Sequence, residues 1–323
     1  MIQKNKKLLD LVRDKIRVKH YSLKTEKTYI NWIKRYIYFH NKKHPKDLGK
    51  ADIEAFLTHL AVDKNVSSTT QNQAFNALLF LYEQVLEISL KDQNISSVRA
   101  KRREHMPVVL TVEEVKRIIY HMNGIYKLML QLLYGCGLRL NELLNLRIKD
   151  IDFGFDNVYI FDSKSCRDRI VPLPQKIKEE LAIHIQEVKL IHKKDIEKGF
   201  GEIHLPKGLE RKYPNANKEF KWQFLFPMRK LSKDPRSGKI MRFHVLSSTF
   251  SRNLKTAVQK AGIEKKVTSH TFRHSYATHL LQNGIDIRTI QELLGHKDIS
   301  TTMIYVHIVR DLNKSNIKSP FDF

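Results

Sequence analysis

Apolar side chains in the first ninety residues recur at helical rather than strand spacing. Leu8, Val12 and Ile16 fall four apart, as do Tyr29, Ile33 and Ile37, so each set lines one face of an amphipathic helix. Residues 52–61 and 70–86 carry two more such patterns, and the Ser-Ser-Thr-Thr run at 67–70 offers several hydroxyls able to cap the second. Four helices with short connections predict a small bundle. The pattern stops at 99–107, Arg99-Ala-Lys101-Arg102-Arg103-Glu-His-Met-Pro, which is charged, nearly free of apolar residues and closed by a proline. It predicts a basic linker between two domains, 1–98 and 108–323, placed to run along a phosphate backbone.

Beyond the linker, Thr111-Val-Glu-Glu114 has the form of a capping box and predicts a new helix, with helices continuing to about residue 145. Residues 147–173 change character: Val158-Tyr-Ile-Phe161 and Arg169-Ile-Val171 are β-rich and separated by polar turn residues, which predicts a small antiparallel sheet. A long helix is expected over 175–197. Residues 198–240 mix glycine, proline and aromatics without a period and read as an insertion. Helical spacing returns over 244–307, and 308–323 reads as a polar tail. The expected fold is mainly α with a small antiparallel β-sheet: an N-terminal helical bundle and a C-terminal mixed α/β domain, closing together as a clamp.

Charge narrows the partner. The 323 residues carry a formal net charge of +24 with 41% apolar residues, enough to bury cores. Net charge is +10 over 1–106 and +14 over the rest, so the excess is not a basic tail. A polyanion is the expected partner, nucleic acid ahead of an acidic membrane surface. The chain has no run near the ~18 apolar residues of a membrane span, and its first residues lack a signal-peptide core. Two cysteines, Cys136 and Cys166, make no disulfide or metal framework. These features predict a soluble cytoplasmic protein with no membrane partner and no small-molecule substrate.

Breaking a phosphodiester with a side chain requires a nucleophile, cations for the pentacoordinate phosphorus and an acid for the leaving oxygen. Suitable groups cluster in four segments. Gly135-Cys-Gly-Leu-Arg139-Leu-Asn-Glu142-Leu puts an arginine just after a glycine turn at a helix start. Asp162-Ser-Lys164-Ser-Cys-Arg-Asp-Arg169 puts a lysine between two strands. His270-Thr-Phe-Arg273-His-Ser-Tyr-Ala-Thr-His-Leu-Leu places His270 and Arg273 on one face of a helix starting near Thr268, with Phe272, Tyr276 and Leu280 burying the other side. Leu294-Gly-His296-Lys-Asp-Ile-Ser-Thr-Thr-Met-Ile-Tyr305 sets a histidine nine residues before a tyrosine.

In this order the segments resemble the signature boxes of the tyrosine recombinases (phage integrases and chromosome-dimer resolvases), and the helical N-terminal half is similar to that family's core-binding domain. The resemblance implies that Tyr305 attacks phosphorus to give a 3′-phosphotyrosine, while Arg139 and Arg273 clamp the non-bridging oxygens. It further implies Lys164 as acid for the 5′ oxygen, His270 in proton transfer, His296 on the phosphate and Glu142 as the acid that orients the site. No cofactor, metal or ATP is implied, and the working assembly is a homotetramer on DNA. Ser163-Lys164-Ser165 departs from the family's Gly-Lys-Gly. The segment from Gly199 to Pro227 resembles the extra segment of integron integrases, which act on folded single-stranded cassette sites with extruded bases. That implies an aromatic platform for a base, with Trp222, Pro235 and His244 as candidates. Arg99, Lys101, Arg102 and Arg103 are expected to contact the DNA backbone because they lie where a linker would wrap the duplex.

Blander readings stand beside these. Trp222 can instead pack in the core. His270 and His274 are four apart, a zinc-like spacing, but Thr271 stands where a metalloprotease needs glutamate. His40, His44 and His59 have no ligand pattern and read as solvated; Cys136 reads as packed. Three functions compete: an integron integrase, a phage-type or chromosome-resolving recombinase on duplex DNA, and a non-catalytic DNA-binding protein on the same fold. A topoisomerase of the related tyrosine type would differ in relaxing supercoils without site preference.

Overall fold

The computed structural model describes residues 6–90, 95, 106–161, 168–205, 212–213, 215–235 and 237–313. The chain divides into two compact units, Met1–His105 and Met106–Phe323.

In the first unit, α1 (Leu8–Val18), α2 (Leu23–Phe39), α3 (Lys50–Val62) and α4 (Ser68–Phe80) form the helical bundle, and a π turn over Leu81–Val85 ends α4. Ser67 is the cap: its hydroxyl accepts the Thr70 N–H at 3.3 Å. Val12, Ile16, Ile33, Phe56, Leu60 and Leu78 fill the core. Inside it the Tyr36 and Tyr82 hydroxyls bond each other at 2.9 Å, and Tyr82 donates to the Pro45 carbonyl. His40 departs from the solvated reading. Its side chain is 12% exposed, wedged against Tyr36 and Phe39, with Nε2 3.1 Å from the Asp52 carbonyl. His59 is also half-buried, paired through Nδ1 with Asp63 at 2.5 Å, whereas His44 is exposed.

In the second unit, α5 (Val112–His121) opens on the expected capping box, with Thr111 and Glu114 bonding each other's backbone N–H. It is followed by α6 (Ile125–Gly135) and α7 (Leu140–Asn145). Strands β1 (Ile151–Asp152), β2 (Asn157–Ile160) and β3 (Arg169–Pro172) pair antiparallel in sequence order, with Val158 opposite Val171 and Ile160 opposite Arg169. Helix α8 (Lys178–Glu197) follows a 3-10 turn, then a short ribbon of β4 (Ser232–Lys233) and β5 (Ile240–Met241). The last helices are α9 (Ser247–Lys260), α10 (Ser269–Gln282), α11 (Ile287–Leu294) and α12 (Ser300–Asn313). No described helix is long and apolar enough to cross a membrane.

Three expectations need correction. Residues 198–240 are not a bare insertion: Leu225 and Phe226 are buried in the main core, and Ile203, Leu205 and Ala216 form a satellite core. The backbone laces them in, Ile148 N–H to the Gln223 carbonyl and Leu225 N–H to that of Leu146. The tail does not begin at 308, because α12 runs through Asn313 and Ile308 is 4% exposed; it lies three residues beyond Tyr305 and extends the same buried face. Finally, α10 is buried nearly all round rather than on one side. It packs against α6, α11 and α12, so Arg273 is 3% exposed while His270, at the first turn, is open to solvent.

Candidate active site

The site is assembled at helix ends. Gly137 follows α6 with φ +60°, and a Cβ there would stand 2.4 Å from the Tyr276 ring, so only glycine permits this turn. The turn delivers Arg139 as the residue preceding α7, where Glu142 accepts its backbone N–H at 2.8 Å and its Nη1 at 2.6 Å. Gly295, also left-handed at φ +62°, ends α11 and turns the chain to His296; a Cβ there would press on the Arg169 side chain at 3.2 Å.

Three guanidiniums converge on one carboxylate. Arg169 grips Glu142 through two bonds, Nη2 to Oε2 at 2.7 Å and Nη1 to Oε1 at 3.1 Å, and its Nε donates to the Leu293 carbonyl at 2.7 Å. Arg273 Nη1 lies 3.9 Å from the same carboxylate and donates to the Gly137 carbonyl at 2.7 Å, while its Nη2 donates to the Leu294 carbonyl. Burial would raise the Glu142 carboxyl, but Arg169, the Arg139 backbone N–H and Arg273 together hold it below its ordinary value. Burial and the proximity of Arg139 draw Arg273 down to about 10, which leaves it charged at neutral pH. Three fixed cations on one anion leave a local excess of positive charge, a seat for an anionic oxygen group. Arg139 is the most exposed, its side chain 34% accessible against 4% and 7% for Arg273 and Arg169.

Tyr305 is 2% exposed, and its hydroxyl lies 3.1 Å from His274 Nδ1. The His296 ring stacks on it at 6.4 Å between centroids, 15° from parallel, and is oriented by a 2.9 Å bond between Nδ1 and the buried Thr302 hydroxyl. Burial raises the Tyr305 phenol, and the charges of Arg273 and Arg139 pull it back. Burial, then Arg273 and Arg139, push His296 down to about 4. Burial, His270 and Arg273 do the same to His274, also to about 4. Partial burial, Arg273 and Arg139 lower His270. These rings are neutral at neutral pH and able to accept or donate one proton.

The structure thus brings together Arg139, Glu142, His270, Arg273, His296 and Tyr305. Lys164 lies outside the described residues, as do Arg99, Lys101, Arg102 and Arg103 and the cysteine Cys166. Cys136 is fully buried beside the arginine turn, its thiol pushed up to about 12 by burial, and it packs as expected. Sequence reading passed over two members. Arg169 stood in the lysine segment; two residues before the buried Val171 it shares that residue's inward face of β3, and this alternation is the signal that could have pointed it toward Glu142. His274 was weighed only as half of a zinc spacing.

Trp222, Pro235 and His244 belong to another part of the unit. Trp222 is half-buried at the end of a 3-10 turn against Ile203, Leu205 and Ala216. Lys149 Nζ lies 4.8 Å from the centre of its ring, and Arg147 donates to its carbonyl at 2.6 Å. Pro235 is exposed in the β4–β5 turn; His244 is half-buried with its ring edge-on to Phe224.

Comparison with known proteins accords with this geometry. Residues 108–311 match the phage integrase family, and residues 8–92 match the phage integrase N-terminal SAM-like domain. An integrase/recombinase of Escherichia coli is 44% identical, covering 98% of this chain and 93% of its own. Tyrosine recombinase XerD of Oceanobacillus iheyensis is 31% identical over 85% of this chain and 84% of its own. Among solved structures, the XerH site-specific recombinase bound to a palindromic difH substrate shares the fold at a TM-score of 0.62, with 20% identity over 96% of this chain and 84% of that one. The chain belongs to the phage integrase family and is a tyrosine recombinase.

Proposed function

We propose that this recombinase cuts and rejoins DNA at specific sites through a covalent bond between Tyr305 and a 3′ phosphate. The observation that carries the reading is a buried phenol bonded to His274 and stacked on His296, which lies two residues beyond the Leu294 carbonyl held by Arg273. In this reading the two arginines neutralise the non-bridging oxygens, His296 bonds one of them, His270 assists proton transfer and Lys164 protonates the 5′ oxygen. Glu142 keeps Arg139 and Arg273 aimed. The phosphotyrosine conserves the phosphodiester's energy, so rejoining needs no ATP. Exchange between two sites takes four cuts, and four copies on DNA supply them.

The substrate we propose is a folded single-stranded cassette site as well as duplex. The support is the likeness of the segment 199–227 to the extra segment of integron integrases, together with its half-buried Trp222, an aromatic ring flanked by Lys149 and Arg147 of the kind that binds an extruded base. A second reading, an enzyme of duplex sites alone, is favoured by the likeness to the relative named XerD. Covalent capture on a labelled cassette-type site decides between them. A denaturation-resistant adduct that prefers the folded bottom strand over the top strand and duplex supports the first reading. Adducts on duplex alone support the second.

A further inference from the structure

We propose that His274 is a catalytic residue: the base that takes the Tyr305 proton as the phenol attacks, and returns it when the strand is rejoined. The inference rests on Tyr305 being the nucleophile and assigns the partner that its attack requires. Tyr305 is enclosed, so its proton has to leave to a protein group or an ordered water, and the His274 ring nitrogen is in hydrogen-bond range at 3.1 Å with the two rings 5.8 Å apart. The other histidine on this ring, His296, meets it by stacking, and its own Nδ1 is taken up by Thr302. His270 lies one turn earlier on α10, at the solvent-facing end.

The step balances with neutral His274 carrying its hydrogen on Nε2. The phenol proton passes to Nδ1, the Tyr305 oxygen bonds to phosphorus, and the bond from phosphorus to the 5′ oxygen breaks. That oxygen takes a proton from the general acid, assigned here to Lys164. On rejoining, the 5′ hydroxyl attacks phosphorus, and the departing phenolate recovers its proton from Nδ1. The groups facing the ring are His270 and Arg273 on α10, His296 beyond α11 and Tyr305 on α12. They keep it neutral before attack, and the anionic phosphate seated on the arginines then stabilises the imidazolium.

The test uses the full-length protein and an oligonucleotide carrying the site identified by sequencing covalently captured DNA. It is made once with the normal 5′ oxygen and once with a bridging 5′ sulfur at the scissile position. A sulfur leaving group needs no acid, so it separates loss of the acid from loss of the base. His274→Asn keeps an oxygen where Nδ1 stood and so preserves packing, but does not accept the proton; folding and DNA affinity are checked alongside. Cleavage by His274→Asn and His274→Ala is expected to fall about 100-fold or more on both substrates, while sulfur restores Lys164→Ala. Cleavage by His274→Asn within about threefold of the parent, or restored by sulfur, overturns the proposal. The histidine ring nitrogens in the free protein give a second readout that needs no DNA. The His274 Nδ1 resonance is expected to shift in Tyr305→Phe, and an unchanged resonance counts against the contact. An adduct formed by Tyr305→Phe would instead overturn the nucleophile assignment, a distinct failure.

Discussion

Arg169 and Glu142, 27 residues apart, form a two-pronged ion pair with both side chains less than a tenth exposed. Arg169 also donates to the carbonyl of Leu293, just before the turn to His296. One side chain therefore ties the strand after the lysine segment, the helix after the arginine turn and the approach to the histidine. Glu142 in turn aims Arg139. The pair is a frame on which the phosphate-binding groups hang.

Breaking that frame has a defined cost. Removing one partner of a buried pair leaves an uncompensated charge, at about 3–5 kcal/mol. Arg169→Ala is expected to lower the melting temperature strongly, and the Arg169→Ala, Glu142→Gln double variant to lose less than the two single effects added. Arg169→Lys restores charge but not the fork, and is expected to bind DNA normally while cleaving roughly 100-fold more slowly through misplacement of Arg139. Thermal melts and single-turnover cleavage check both.

Acid should loosen the second unit. His274 and His296 titrate near 4 in the folded chain, against an ordinary value of 6.5. The folded state binds fewer protons there than the unfolded state, so the stability these rings contribute is present above 6.5 and is lost as pH falls from 6.5 toward 4. The melting temperature should drop over that window, and drop less in His274→Asn and His296→Asn. A parent melting temperature that stays flat from pH 7 to pH 4.5 would contradict the burial of these rings.

Gly137→Ala combines a left-handed backbone with a collision against the Tyr276 ring. Overpacking of this kind costs about 1–3 kcal/mol. The expected outcome is a lower melting temperature together with slower cleavage, since Arg139, two residues on, is the residue that precedes α7. Gly49→Ala, where an added Cβ meets nothing within 4 Å, serves as the control.

Trp222→Ala tests the proposed base platform. Loss of one stacked base is worth about 1–3 kcal/mol, so affinity for a folded site with an extruded base should weaken roughly 5- to 150-fold while duplex affinity stays unchanged. Equal weakening on both, or a lowered melting temperature alone, marks Trp222 as packing.

Much of this was legible in the chain because the information was local. Helical spacing around Ile16 and Ile33, the cap at Thr111 and the glycine turn before Arg139 each depend on residues a few positions apart. Site members known by box, such as Tyr305 and Arg273, were read from the family likeness and not from spacing. What escaped depends on tertiary packing. Arg169 reaches Glu142 only because β3 passes beside α7 and α11, and His274 meets Tyr305 only because α10 and α12 pack together. His40 was misread because its cover comes from neighbouring aromatics and from the carbonyl of Asp52 on a different helix. The end of α12 was misplaced because polar composition after His307 hid the buried Ile308.

The most direct test of the central claim is to identify the residue that carries the DNA. Covalent complexes would be digested with protease and nuclease and the nucleotide-bearing peptide sequenced by mass spectrometry. A phosphonucleotide on Tyr305, absent from Tyr305→Phe, is the predicted result. A nucleotide on any other side chain, or adducts that persist without the Tyr305 hydroxyl, would contradict it.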